Sequence, residues 1–485
     1  MSEIRSAKHG NALRLQLVDD PTTIDPRAWD ALLARQRTPT PFMRHAYLTA
    51  MHSSGSAVPA TGWTPRFVLL WHGPEDNAEL VAACPLYIKA HSYGEYVFDW
   101  AWANAYAEHG LRYYPKALVA VPFTPVPGSR LLARDAAARQ ALVGALIDLC
   151  EALELSSLHV LYGDADDLAA CADAGMLQRQ QVQFHWKNMR PPRCAASPAA
   201  LPPEGALAAL GRPGDGEKPP RFAAAPASLP PEGALAALGR PGDGEKPPHG
   251  AASLSESHER FTSFDDFLAS LNQEKRKKIR QERRKVAEAG VRFRWARGVD
   301  ITAQDWAFFY RCYERTYLEH GNAPYLTPAF FESMARDMAG DWVLFIAEHD
   351  GRPIASSLIA FSAGGACANG QSDIEPIAPV AYGRYWGALE RVDSLHFEAC
   401  YYQPLQWCIE HGVARFEGGA QGEHKMARAL MPVATPSAHW LAHPAFADAV
   451  ERFLQRESEG MADYLSHLDE RSPFRHAQPP GKPGA

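Results

Sequence analysis

Ten residues, Phe416 to Lys425 (FEGGAQGEHK), set Gly418, Gly419 and Gly422 around Glu417, Gln421, Glu423, His424 and Lys425. Glycine lets a backbone turn sharply, so this loop can carry acid, base and hydrogen-bonding groups into one small volume. The inventory suits acyl transfer to an amine. That chemistry needs a base to keep the amine neutral, donors aimed at the developing oxyanion, and often an acid for the leaving group. Glu423 and His424 are candidate bases, with Glu423 ahead because partial burial would lift a carboxylate toward neutral pH. Lys425 would pair with an anionic donor or a carboxylate, the backbone from Gly418 to Gly422 would offer N–H groups, and Glu417, Gly419 and Gln421 would contact substrate. A polar surface turn after a strand is the plainer reading of the same residues.

Three other places carry usable groups. Leu395 to Gly412 has helical spacing, with Leu395, Ala399, Tyr402, Leu405 and Ile409 on a core stripe and His396, Cys400, Gln403 and Trp407 on another. Tyr401 is a candidate acid or hydrogen-bond donor there, whereas Cys400 and Trp407 read as packing. The segment from Asp99 to Lys116 mixes aromatics with both charges, and Asp99, Trp102, Glu108, His109 and Arg112 would line a pocket for a polar ligand or form an aromatic sheet edge. In Thr124 to Arg130, Gly128 and Arg130 could hold a phosphate, although Pro125 and Pro127 withhold two N–H groups.

The glycine loop, LHFEACYYQPLQWCIEHG (Leu395 to Gly412), SFDDFLASLNQEKRKKIRQERRKV (Ser263 to Val286) and the stretch from Gly94 to Leu132 together resemble a family of bacterial FemAB-like proteins, over most of residues 12 to 470 apart from one insertion. The resemblance implies two GNAT-type halves in tandem and an N-acyltransferase drawing on acyl-CoA or aminoacyl-tRNA. It also implies an amine acceptor, of which a cell-wall precursor is one. The alternative is a noncatalytic relative that binds such a precursor or another anionic ligand. Acetyl-CoA enzymes of that fold usually carry a [QR]-x-x-G-x-[GA] turn that cradles pyrophosphate. Here Arg384-Tyr-Trp-Gly387-Ala-Leu389 departs at the last position. Arg384 stays a donor-binding candidate, and an aminoacyl-tRNA donor stands beside CoA.

The elements that must position these groups alternate. Strands and helices from 12 to 190 and again from 291 to 470 predict two α/β (α+β) halves with mixed sheets. Within the first, Leu80 to Ile88 and Tyr96 to Trp100 read as strands. Between the halves, LPPEGALAALGRPGDGEKPP occurs identically at 201–220 and 229–248, so 191–257 reads as a duplicated, disordered insertion. One amphipathic helix is expected over Ser263 to Gly290, joining the halves within residues 258–290. Eight of its eleven residues from Lys275 to Lys285 are Lys or Arg, and Lys277, Arg280 and Arg284 there would meet tRNA or a phosphorylated ligand. Strand Ala366 to Ser372, a closing helix over 444–468 and a disordered tail over 471–485 complete the reading.

Composition limits the partners. With 485 residues, a net charge of −7 and 46% hydrophobic residues, the chain is sized for several cores and is too acidic for generic nucleic-acid coating. It has no apolar run of membrane-spanning length and no apolar leader at its N-terminus, and its eight cysteines lack a CxxC pair. These features predict a cytoplasmic protein with reduced thiols. No HExxH or comparable spacing occurs, so no metal is expected.

Overall fold

Thr302 and Asp305 cap helix Ala303–Glu319 reciprocally, and Asp164 and Asp167 do the same for Ala165–Asp173. Asp350 and Gly351, at φ 50° and 72°, make the two-residue turn that joins strands 342–349 and 352–362. Such local signals organise the computed structural model, which describes residues 3–4, 13–190, 259–365, 377–420 and 422–475. The insertion 191–257, the predicted strand Ala366 to Ser372, Gln421 and the tail from 476 onward lie outside the described residues.

The first half contains β1 (Glu3–Ile4), β2 (Leu13–Val18), α1 (Pro26–Ala34), α2 (His45–Ser53), β3 (Trp63–Pro65), β4 (Phe67–His72), β5 (Glu79–Cys84) and β6 (Leu86–Lys89). It continues with α3 (Trp100–Glu108), β7 (Lys116–Val119), β8 (Leu132–Ala133), α4 (Ala136–Ala152), β9 (Ser157–Leu161), α5 (Ala165–Asp173) and β10 (Leu177–Lys187). The second half contains α6 (Phe264–Ser270), α7 (Gln273–Glu288), β11 (Val291–Arg297), α8 (Ala303–Glu319), α9 (Pro328–Asp337), β12 (Trp342–His349), β13 (Arg352–Ser362) and β14 (Val380–Ala388). It ends with α10 (Leu395–Phe397), a π turn at Glu398–Tyr402, α11 (Gln403–Glu410), β15 (Arg415–Glu417), β16 (Met431–Leu441) and α12 (Pro444–Glu470). Among the described residues no helix is long and apolar enough to cross a membrane.

Five strands form one sheet, β1-β2-β4-β5-β8, and eleven form the other, β11-β12-β13-β14-β15-β10-β16-β9-β7-β6-β3. Two pairs among them are parallel, β7 with β9 in the first half and β14 with β15 in the second. The halves exchange strands where they meet: β10 pairs with β15 on one side and β16 on the other, and β16 pairs on with β9. The apolar core crosses the same boundary, with Phe42 edge-on to Tyr382 at 5.3 Å and Tyr47 to Phe330 at 5.4 Å.

Four sequence expectations change. Leu80 to Ile88 is two strands in different sheets, because Pro85 has no N–H to continue a ladder and the chain changes sheet there. Tyr96 to Trp100 is not a strand; Tyr96 sits at φ 61° and Trp100 opens α3. The single basic helix is two, since Leu271 is extended and Asn272 caps a fresh helix by accepting from Lys275 N at 3.0 Å. The first residues of the predicted disordered tail are ordered, Phe474 bridging to Leu271 and Asn272 N donating to Pro473 O at 2.9 Å. At the other end of that region, Asn188 Oδ1 accepts from Phe261 N at 3.1 Å, and Asn188 Nδ2 donates to Val413 O at 3.0 Å.

Candidate active site

β14 and β15 run side by side only from Val380 and Arg415 to Tyr382 and Glu417. There β15 stops. Gly418 and Gly419 turn the chain aside while β14 runs on to Ala388, with no described strand on that edge. A side chain at Gly418 would strike Leu430 Cδ2 at 2.4 Å and crowd Phe184 O at 3.1 Å, and Gly419 lies at φ +76°, so both turn positions demand glycine. On its other edge β14 is bulged: Leu358 pairs with Tyr385 and Ile359 with Gly383, leaving Arg384 as the extra residue. Bulges of this kind re-aim a side chain.

A cavity of ≈ 260 Å³ fills the gap. Gly383 to Trp386 line it from both faces of β14, as an open strand edge allows. Helix α8 contributes Tyr313 and Tyr317, the run from Leu395 contributes His396 and Tyr401, and the first half contributes Tyr96 and Phe123. Phe123 stacks on Tyr325 of the second half, with centroids 4.8 Å apart and planes 9° apart. The cavity is thus built by both halves.

Burial sets the protonation states around it. His396 is pushed down to about 4, mainly by burial, with His424 and Arg428 adding to the effect, so it is a neutral imidazole. The Tyr401 phenol is pushed up by burial and keeps its proton; its hydroxyl lies 3.3 Å from His424 Nε2. Burial pushes Lys425 down to about 8, and its Nζ donates to the carbonyls of Gly419 at 3.0 Å and Ala420 at 2.6 Å. Glu417 is pushed up to about 7 by burial, against the pull of Arg415 at 2.9 Å. Its other carboxylate oxygen is buried without a hydrogen bond.

The candidates named from sequence thus separate. Tyr401, Arg384 and Gly419 line the cavity, and Lys425, His424 and Glu417 stand directly behind its walls. Glu423 does not share that position. It is exposed and held by Tyr464 at 2.9 Å and Arg471 at 3.1 Å, so the burial that favoured it as a base is absent. Asp99 and Trp102 belong to a closed network rather than a pocket: Asp99 pairs with Lys116 and accepts from Tyr113 at 2.6 Å, and Trp102 packs edge-on to His439. Glu108, His109 and Arg112 lie exposed beyond that network, at and after the end of α3. Arg130 is fully buried and spends its guanidinium on the carbonyls of Val126 and Gly128, so neither it nor Gly128 presents a phosphate cradle. The run from Arg384 to Ala388 is strand rather than a turn before a helix, and Leu389 follows the end of β14. Lys277, Arg280 and Arg284 are exposed on α7 and none of them lines the cavity.

Sequence reasoning passed over Tyr96, Tyr313, Tyr317 and Tyr385. The i, i+4 spacing of Tyr313 and Tyr317 was a signal for one helix face, but the same spacing fits an ordinary core. Among the described residues no three His, Cys, Asp or Glu side chains converge as a metal site.

Comparison with known proteins places this geometry in context. In solved structures the chain is similar to L-PGS from Bacillus licheniformis, with 8% identity over 89% of this chain and 97% of the other and a TM-score of 0.42. It is similar also to a tandem GNAT protein from the clavulanic acid biosynthesis pathway, with 10% identity over 89% and 99% of the two chains and a TM-score of 0.37. Likeness of this degree leaves the activity to be argued from the cavity. No functionally curated protein matches the chain. The model of the FemAB-like family, described as peptidoglycan biosynthesis/recognition, matches residues 20–192 and 253–476. The chain is therefore a member of the FemAB-like family.

Proposed function

We propose that this protein is an acyltransferase that moves an acyl or aminoacyl group from an activated donor to an amine, with bond making at the open edge of β14. The observation that carries the reading is the cavity where the parallel strands part, because it joins an open backbone edge to a protonated phenol and a neutral imidazole. The Tyr401 hydroxyl donates to the developing oxyanion or to the leaving group, and His424 is its proton partner. His396 takes the amine proton as the new bond makes that proton acidic. Lys425 is a positioning residue: its ammonium clamps two loop carbonyls and sets the mouth of the cavity. The exposed cations Lys277, Arg280 and Arg284 offer a landing for a tRNA donor or for a phosphorylated ligand.

The test is transfer from a panel of acyl-CoAs and aminoacyl-tRNAs to amines by the full chain. Tyr401→Phe is expected to lower kcat by about 100-fold or more, the usual range for losing a positioned proton donor, while Glu423→Ala stays near wild type. Normal turnover in Tyr401→Phe would remove that residue from the mechanism. Binding of a cell-wall precursor with no transfer across the whole panel would instead favour a recognition protein.

A further inference from the structure

Arg384 is a cation set into the cavity without an anion. Its Nη2 donates to Phe123 O at 3.0 Å and approaches Thr124 Oγ1 and Tyr385 OH at 3.4 Å each. Its guanidinium lies over the rings of Phe42 at 5.1 Å and Tyr385 at 5.2 Å, and its Nε has no partner. Of the other buried cations, Lys116 pairs with Glu95 and Asp99 and Arg428 with Glu282, whereas Arg130 and Lys425 are held by backbone carbonyls and do not line the cavity. Among the described residues no carboxylate pairs with Arg384, and no Asp, Glu or Lys lines the cavity. His396, the other titratable nitrogen base in the wall, is neutral. Among the described residues the cavity lining therefore holds one permanent positive charge and no anion, and Glu417 behind the wall is paired with Arg415. That arrangement is costly unless a ligand brings the counter-charge.

From this we infer that the amine acceptor carries a carboxylate, and that Arg384 is the residue that selects it; the word acceptor rests on the transfer reading above, the carboxylate does not. Size and charge both favour a carboxylate. At ≈ 260 Å³ the cavity is smaller than the roughly 300 to 1,000 Å³ of sites for drug-sized ligands, which suits a molecule of amino-acid dimensions. A phosphate monoester carries about −1.5 to −2 near neutral pH, more than one guanidinium balances, whereas a carboxylate matches it one for one and fits its planar fork. The bulge that makes Arg384 the extra residue of β14 is what turns its side chain across the cavity toward Phe123 and Thr124.

The experiment is binding to the full chain, without any acyl donor, by calorimetry and by thermal shift. The probes are the L- and D-amino acids, their carboxamides, and inorganic phosphate. At least one free amino acid is expected to bind, its carboxamide about tenfold or more weakly, as for loss of a charge-assisted hydrogen bond. Arg384→Gln is expected to erase that discrimination. Because Arg384 also ties the two halves, the wild-type comparison of acid with amide decides the matter if the variant does not fold. The assignment is overturned if acid and amide bind alike, if no free amino acid binds, or if phosphate competes off every amino acid. Carboxylate-selective binding with no transfer would sink the transfer reading and leave Arg384 in place. Transfer to amines bound without regard to a carboxylate would do the reverse.

Discussion

Gly387 governs how near α8 can come to β14, and hence where the cavity tyrosines stand. A Cβ there would fall 1.9 Å from Cys312 O and 2.3 Å from its carbonyl carbon, both backbone atoms that cannot rotate away. Gly387→Ala must lift α8, which carries Tyr313 and Tyr317, off the strand. A stability loss of about 3 kcal/mol is expected, read from urea unfolding, together with lost transfer; an unchanged midpoint would mean the helix rides more loosely than its packing implies. In the sequence this glycine looked like part of an incomplete pyrophosphate turn, because a strand glycine under a helix and a loop glycine over a phosphate leave the same letter. Glu423 misled for a related reason. Its exposure depends on Tyr464 and Arg471, some forty to fifty positions later, and no local pattern reports them. Tyr401 and Arg384 were legible as polar residues beside reactive motifs, although their shared cavity was not.

At the scale of elements, capping residues told most. Ser263 and Asn272 both accept from the residue three positions on, yet the spacing predicts a start only at Ser263, since the apolar stripe of Phe264, Leu268, Leu271, Ile279 and Val286 runs through the break and all five are buried. Strand β16 carries Pro432 and Pro436, residues that argue against a strand interior when met in sequence. They are tolerated since β9 pairs only with Ser437 to Leu441, leaving the proline-bearing part unpaired on that side. On that seam His159 and His439 sit directly opposite, Nδ1 to Nδ1 at 2.7 Å, each with a serine hydroxyl at 2.9 Å on Nε2. Burial depresses both, His159 to about 3 and His439 well below its ordinary value. Below the unfolded value of about 6.5 the unfolded chain takes up protons that the seam refuses, so stability falls as pH drops through that range. Glu95 and Glu417, raised by burial to about 7, act in the opposite sense between about 4.5 and 7. A wild-type profile therefore mixes the two, and the contrast with a variant isolates the histidines. Between pH 7 and 5 the wild type should lose about 2 kcal/mol more than His439→Gln; parallel urea midpoints for the two proteins would show that His439 titrates normally in the fold.

For the whole molecule, the alternation of strands and helices announced two α/β halves but not their shared sheet. Because β16 lies between β9 and β10, residues 12–190 alone would expose two long strand edges where one strand is missing. Expressed by itself, that half is expected to aggregate or give a collapsed amide spectrum, and co-expression with residues 258–475 should recover soluble complex. A folded, monomeric first half would show the exchange to be dispensable. One last consequence concerns Asn188, whose side chain holds both Phe261 N and Val413 O. It fastens together the two chain segments that flank residues 191–257. Once such ends are tied, each doubling of the length between them adds only about 0.6 kcal/mol of closure entropy. A twenty-residue block repeated at a 28-residue period is the kind of copying error such a junction absorbs. A reporter domain spliced into this junction is therefore expected to leave β10 and β15 in register, which an unchanged melting temperature would check.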